Sequence, residues 1–406
     1  MKVKFLITVL YISASLFIQN PVRSQEDFTS VTQDVKYQFI GNYTIAGLDS
    51  ILTTQAANFS GFDVTYTPAQ NPVKLYRVLY NSVIPEFNDR PTVASGLIAV
   101  PDNGKEKMPV VSYQHGTVFT KTDVPSFPEE SMETRLMIAQ FAGQGYIVIA
   151  ADYFGKGLSE EPDSYEVKES TQQACIDMLK ASDEILKSLN VTPGPLFLSG
   201  WSMGAWSTLL FLEKLEGLGI PVTAAATACT PTDIFALVNR WIYAPEESDA
   251  VWLPGILALQ LSSYEIYYQM PGLMESVVKP EYQQATSDFY RNKITFEEFY
   301  TRTASRLSEY LKPEFISKGL TGGSRLVQIA QDNNSYRWRS HTPLNLYYGD
   351  ADEAVPEYIA TLPADYQQLM GGGKTTSVPA GKTADHRGTF KFAVKDQKSW
   401  FDGMLK

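Results

Sequence analysis

Along the chain, short runs of apolar residues alternate with longer stretches in which apolar positions recur every three or four residues. The short runs are Val73–Val83, Val93–Val100, Val110–Gln114, Tyr146–Ala151, Leu196–Gly200, Thr223–Ala228, Leu344–Tyr348 and Thr376–Pro379. They are rich in Val, Ile, Leu and aromatics, and most end at Gly, Asp or Pro, which predicts strands. Several, such as Ile147-Val148-Ile149-Ala150-Ala151, are apolar on both parities. A strand of that kind belongs in a sheet covered on both faces, as in parallel α/β folds. The stretches between them predict helices over Met132–Ala142, Ser170–Leu189, Gly204–Leu215, Glu357–Met370 and Phe390–Leu405. In Ser170–Leu189, for instance, the apolar positions are Ala174, Ile176, Leu179, Ala181, Ile185 and Leu189. Strands alternating with helices predict a doubly wound, mostly parallel α/β sheet.

The alternation stops between about Asp233 and Trp338, where the pattern is helical and aromatic: Trp241, Tyr243, Trp252, Tyr264, Tyr267, Tyr268, Tyr282, Phe289 and Tyr290. Phe296, Phe299, Tyr300, Thr303, Leu307, Tyr310 and Leu311 repeat at three and four, predicting one face of a single helix. Residues 233–338 therefore read as a helical cap inserted into an α/β core, with 25–232 as its first part and 339–406 as its second. Residues 25–70, polar and mixed, predict an extended lead-in on the surface. Residues 1–24 open on Met1-Lys2-Val3-Lys4, continue as an apolar run from Phe5 to Ile18, and offer Val22-Arg23-Ser24 before a cut near Gln25. That is the layout of a secretory signal peptide, and the run is too short for a membrane span. The expected mature chain is secreted or periplasmic, with no integral membrane span. Cys175 and Cys229 then lie in a compartment that permits a disulfide; two buried free thiols are the expectation.

Composition narrows the partners. Net charge is −11 over 406 residues, and no Lys/Arg-rich run breaks the acidity. Such a chain is a poor binder of nucleic acid. Two cysteines and three histidines leave little material for a zinc site. No glycine-rich dinucleotide or phosphate loop opens a βαβ unit, so no cofactor and no metal is expected.

One pentapeptide points to chemistry. Gly200-Trp201-Ser202-Met203-Gly204 follows the apolar strand Leu196-Phe197-Leu198-Ser199 and precedes a helix. The Gly-x-Ser-x-Gly turn is so tight that side chains two residues either side of the serine would collide, and it lifts the hydroxyl above the sheet at a helix start. A serine needs a base. Of three histidines, His341 precedes a strand, at the wrong edge of a parallel sheet. His115, in Gln114-His115-Gly116-Thr117, and His386, in Ala384-Asp385-His386-Arg387-Gly388, follow strands, at the correct edge. The acid comes from Gly349-Asp350-Ala351-Asp352-Glu353-Ala354-Val355-Pro356, with Asp352 as the choice and Asp350 as its rival.

In this chain order, Ser202, Asp352 and His386 resemble the triad of the α/β-hydrolase superfamily. Gly349, Asp352, Val355 and Pro356 match its Gly-x-x-Asp-x-x-Val-Pro pattern; His115-Gly116 matches its His-Gly motif; Asp152, Gly155, Gly157 and Ser159 match its Asp-x-x-Gly-x-Gly-x-Ser loop. With the leader and the insertion, the chain looks most like secreted lipases and esterases. The resemblance implies a structural His115 and an oxyanion hole from the backbone N–H groups of Met203 and Thr117. The loop lacks the lipase-type glycine run, so Gly116 and Val118 compete with Thr117. The implied activity is hydrolysis of a small-molecule carboxylic ester through an acyl-enzyme. A serine peptidase or aminopeptidase of the same fold is the first alternative, and would need acids such as Glu246, Glu247 or Asp249 facing the site. A catalytically inactive binding scaffold is the second.

Overall fold

The computed structural model describes residues 28–318 and 324–406; the predicted signal peptide lies outside the described residues. Ten strands form one sheet: β1 Thr29–Ser30, β2 Val35–Tyr43, β3 Val73–Ile84, β4 Arg90–Pro101, β5 Lys107–Gln114, β6 Ile147–Ala151, β7 Thr192–Trp201, β8 Ala224–Ala228, β9 Leu344–Tyr348 and β10 Thr375–Pro379. Their spatial order is β1-β2-β3-β4-β6-β5-β7-β8-β9-β10. The pairs from β6 through β10 are all parallel. The first four strands are antiparallel to one another, and β4 runs antiparallel to β6. This is the α/β-hydrolase fold, a mostly parallel sheet extended by an antiparallel edge.

Every residue of β6 and β8 is buried, as strands apolar on both parities must be. One face of the sheet is covered by the helices Lys168–Ser188 and Met203–Gly217 with the inserted helices. The other face carries Met132–Phe141, His386–Met404 and a helical segment from Ile45 to Phe59. Met203–Gly217 is buried over most of its circumference, because it lies between the sheet and the insertion. Trp206 at its centre donates its indole N–H to the Asn333 carbonyl at 2.7 Å, tying the insertion to the core.

Two expectations are corrected. Residues 25–70 are no surface lead-in: β2 pairs with β3 along most of its length, and Leu48, Ile51, Leu52 and Ala56 are buried against the sheet. Their spacing of three, one and four is itself a helical stripe. Phe296–Leu311 is not one helix. It runs helical over Phe296–Arg302 and again over Leu307–Tyr310, with Thr303 extended between them. The Thr303 hydroxyl turns back to the Phe299 carbonyl, the local competition that ends helices at Ser and Thr. Leu311 then leaves the helix to form an isolated bridge with Val278.

Between β8 and β9 the described residues form eight helices and no strand. No described helix is long and apolar enough to cross a membrane. Both cysteines are free and buried, Cys175 in the packing on one face of the sheet and Cys229 on the other.

Candidate active site

The carboxyl ends of β5, β7, β8 and β9 converge on one rim, where an open α/β sheet places its ligands. β7 ends at Trp201 and the helix Met203–Gly217 starts two residues later. Ser202, between them, has φ 56° and ψ −126°, a left-handed conformation that costs about 1–3 kcal/mol and survives only where the surroundings enforce it. They do: a Cβ on Gly200 would strike the Gly204 carbonyl, and a Cβ on Gly204 would strike the Gln114 carbonyl at the end of β5. Ser202 occupies the N-cap position, but its hydroxyl does not cap the helix. The Met203 N–H is one of the first-turn donors that a helix leaves unspent.

His386 opens the helix His386–Met404, capped by Asp385, whose carboxylate accepts the Gly388 N–H at 2.6 Å. Its ring Nδ1 lies 2.9 and 3.0 Å from the two oxygens of Asp352. Asp352 Oδ1 also accepts the N–H groups of Ala354 and Val355, each at 2.9 Å. Hydrogen bonds to a charged group contribute about 1.5–3 kcal/mol each, so the loop after β9 is folded around this carboxylate. Burial alone would push the Asp352 carboxyl up, but His386 and these donors hold it below its ordinary value. Burial pushes the His386 imidazole down, and Asp352, with Glu353 and Asp385, more than reverses this and holds it above its ordinary value. The arrangement fixes the tautomer with Nε2 free for proton transfer. Asp350 is exposed, and its backbone N–H reaches the Gly381 carbonyl; the rival acid is not at the imidazole.

On the other side of Ser202, the loop after β5 is built by buried ionisable groups. Glu133 Oε2 accepts the Gly116 N–H at 3.0 Å and the Tyr113 hydroxyl at 2.7 Å. That spends the Gly116 N–H. No described backbone acceptor takes the N–H of Thr117 or Val118, and of these two Thr117 borders the Ser202 cavity. The Thr117 hydroxyl bonds the Tyr165 hydroxyl at 2.8 Å. Lys156 is buried, reaches the carbonyls of Val118 and Thr120 at 3.2 Å, and pairs with buried Asp163 at 2.9 Å. His115 is wholly buried, its nitrogens against the carbonyls of Gly116 and Asp152, and burial pushes its pKa down to about 4. It underlies the loop and does not border the cavity. His341 is exposed at the opposite edge, its backbone N–H on Glu216.

Ser202, His386 and Thr117 share a cavity of about 100 Å³ with Phe119, Trp201, Trp252, Glu353 and Arg387. Trp252 comes from the insertion, which therefore forms part of the wall. Glu353 accepts the His386 backbone N–H at 3.0 Å, and the Trp201 indole N–H reaches the His386 carbonyl at 3.1 Å. Sequence reasoning passes over Glu353, Glu133 and Lys156, and names Trp252 only as one of the insertion's many aromatics. Glu353 stands next to the chosen acid, which is a usable signal; the others carry no motif of their own. Glu246, Glu247 and Asp249 do not border this cavity. Arg240 pairs with Asp249 and, at 3.1 Å, with Glu246. One donor set deserves a metal test: Cys229 Sγ, an Asp352 oxygen and a His386 nitrogen lie within 4.8 Å of one another. A metal would need a thiolate, but burial pushes the Cys229 thiol far up. Asp352 is already committed to His386 and two amides, so the set is a hydrogen-bonded cluster and not an open ligand shell.

Comparisons with known proteins bear on the fold and the family. The chain resembles a candidate hydrolase from Legionella pneumophila, with TM-score 0.82, 23% identity, and coverage of 91% of this chain and 97% of that one. It resembles the rice cell wall degrading esterase LipA from Xanthomonas oryzae in a ligand-bound form, with TM-score 0.76, 18% identity, and coverage of 93% and 97%. It also resembles Candida antarctica lipase A in its closed state, with TM-score 0.59, 16% identity, and coverage of 86% and 77%. At these identities the likeness establishes the fold. No curated protein matches the chain. The family model described as serine aminopeptidase, S33, matches residues 125–361, more than half of the chain. The chain is therefore an α/β-fold serine hydrolase and belongs to the serine aminopeptidase S33 family.

Proposed function

We propose that this hydrolase cleaves small-molecule carboxylic esters through an acyl-enzyme on Ser202. The observation that carries the reading is the buried His386–Asp352 pair, with the imidazole and the Ser202 hydroxyl on one cavity. His386 Nε2 takes the hydroxyl proton as Ser202 Oγ attacks the carbonyl carbon. The oxyanion is held by the N–H groups of Met203 and Thr117, and Asp352 stabilises the imidazolium. As the intermediate collapses, the carbon–oxygen bond to the alcohol breaks and His386 gives that oxygen its proton. Water, deprotonated by His386, then attacks the acyl-enzyme and releases the acid and free Ser202.

No organic cofactor or metal takes part in these steps. The insertion acts as a cap, and the aromatic wall that its Trp252 forms with Phe119 of the loop after β5 suits an apolar substrate. The N-terminal leader supports an exported protein, secreted or periplasmic.

A second reading, removal of an amino-terminal residue from a peptide, is favoured by the family description and by Glu353, an acid on the cavity wall. It is weakened by Glu246 and Asp249, which are paired with Arg240 away from the site. Parallel assays with p-nitrophenyl esters and aminoacyl p-nitroanilides separate the two; faster anilide turnover overturns the ester reading. Labelling by a fluorophosphonate that disappears in Ser202→Ala is expected, and its absence would make the chain an inactive scaffold.

A further inference from the structure

His386 is the first residue of its helix, so its backbone N–H is one of the donors that a helix cannot satisfy from within. Glu353 Oε2 takes that N–H at 3.0 Å. The His386 carbonyl receives the Trp201 indole N–H at 3.1 Å and the Cys229 thiol at 3.4 Å. Side chains from outside the helix therefore hold the backbone of His386 on both sides, and Asp352 holds its ring.

Glu353 is anchored in turn. Its own carbonyl accepts the Ala250 N–H at 3.0 Å, and the carbonyl of Ala354 accepts the Trp241 indole N–H at 2.8 Å. Ala250 and Trp241 belong to the insertion. Glu353 thus ties the loop after β9 and the cap to the first turn of the last helix, and it does so on the wall of the Ser202 cavity.

Any neutral oxygen could hold a peptide N–H; a carboxylate adds charge. The other charged groups about the imidazole are occupied. Asp352 binds the ring. Asp385 is turned to the Gly388 N–H and the Ser60 hydroxyl, and Arg387 to the ring and carbonyl of Phe59. The rings of Trp201 and Trp252, 5.2 and 5.8 Å away, carry no charge, and burial keeps the Cys229 thiol protonated. Glu353 both touches His386 and borders the cavity in which the proton moves. Burial pushes the imidazole down, and the charges of Asp352, Glu353 and Asp385 work against it.

We propose that Glu353 is a positioning residue for the base: it fixes where the backbone carries the His386 imidazole and sets a negative charge beside it. The inference rests on the reading of Ser202, Asp352 and His386 as a triad, and it holds whether the bond cleaved is an ester or an amide.

The test is the pH dependence of kcat and kcat/KM for p-nitrophenyl butanoate in Glu353→Gln and Glu353→Ala. The imidazole must be unprotonated to take the serine proton, so kcat/KM rises with pH as it titrates. Glu353→Gln keeps an oxygen for the His386 N–H and removes the charge. Its kcat/KM midpoint should move to lower pH by about half a unit or more, with kcat at the plateau close to that of wild type. Glu353→Ala loses the acceptor as well. The same displacement is expected, with kcat lower by about 100-fold, the cost of a group misplaced by about 1 Å, and KM changed far less. Melting temperatures show that each variant is folded, and the isosteric Glu353→Gln carries the test alone if Glu353→Ala is not. A midpoint unmoved in Glu353→Gln overturns the proposal, as does a wild-type kcat in folded Glu353→Ala. A raised KM at unchanged kcat also overturns it and makes Glu353 a substrate contact. Failure of the triad reading looks different: Ser202→Ala retains turnover, or wild type takes up no fluorophosphonate.

Discussion

The two loops that flank Ser202 are held by opposite strategies. On the His386 side, the groups assigned to chemistry also make the structure: Asp352 binds the imidazole and, with the same oxygen, two amides of its own loop. On the Thr117 side, the proposed chemistry belongs to a backbone N–H, and the side chains that aim it stand behind it. Glu133 fixes the peptide before Thr117, and Lys156 fixes the carbonyls after it. One side therefore fails when a reacting group is removed, and the other fails when a bystander is.

Mutations at these positions test that contrast, and the largest effect belongs to the nucleophile. Ser202→Ala should lower kcat by about a million-fold, as for other triad serines, with the melting temperature nearly unchanged. Asp352→Asn should cost about 10,000-fold and also loosen the loop after β9, visible as faster amide exchange at Ala354 and Val355. Because the Asp352 charge holds the His386 pKa up, the variant's residual activity should rise with pH from a lower midpoint than wild type.

Lys156→Met should lower kcat by about 100-fold, the worth of one misplaced oxyanion donor, with KM changed far less. An equal loss in Lys398→Met, whose partner Asp402 lies one turn on along the last helix and away from the Ser202 cavity, would show that any broken ion pair has this effect. The last expected effect, on stability and not on turnover, is at Glu133. Burial raises its pKa to about 7 from an ordinary 4.5, so its stability contribution is full below about pH 4.5 and is lost as pH rises through 7. The loss is on the order of 3 kcal/mol. Glu133→Gln should therefore show a smaller fall in melting temperature between pH 5 and pH 8 than wild type. An identical fall would place the titrating group elsewhere.

The same contrast decides what could be read from the chain alone. Ser202, Asp352 and His386 are found because the chemistry needs those side chains, and the tight turn at Ser202 leaves its glycines as a mark. Met203 and Thr117 are found by position only, since a backbone donor leaves no residue type behind; the choice against Gly116 required seeing Glu133. Glu133 and Lys156 carry no signature, because a buried charge and a surface charge are the same letter until the fold is known. The sheet was legible from β3 to β10, where short apolar runs end at Gly, Asp or Pro. β2 was not: its alternation is interrupted by the irregular register near Gly41, and only Val35 and Gln38 of its residues are buried. The break at Thr303 was hidden because the segments on either side bury the same kinds of residue.

The two thiols supply a clock. Cys175 and Cys229 are sealed into opposite faces of the sheet, and burial keeps both protonated. An alkylating reagent such as iodoacetamide should leave the native chain untouched, so the pace at which mass is added records how often each layer comes apart. Two peptides, one from each layer, would report whether the two halves of the core open together or in turn.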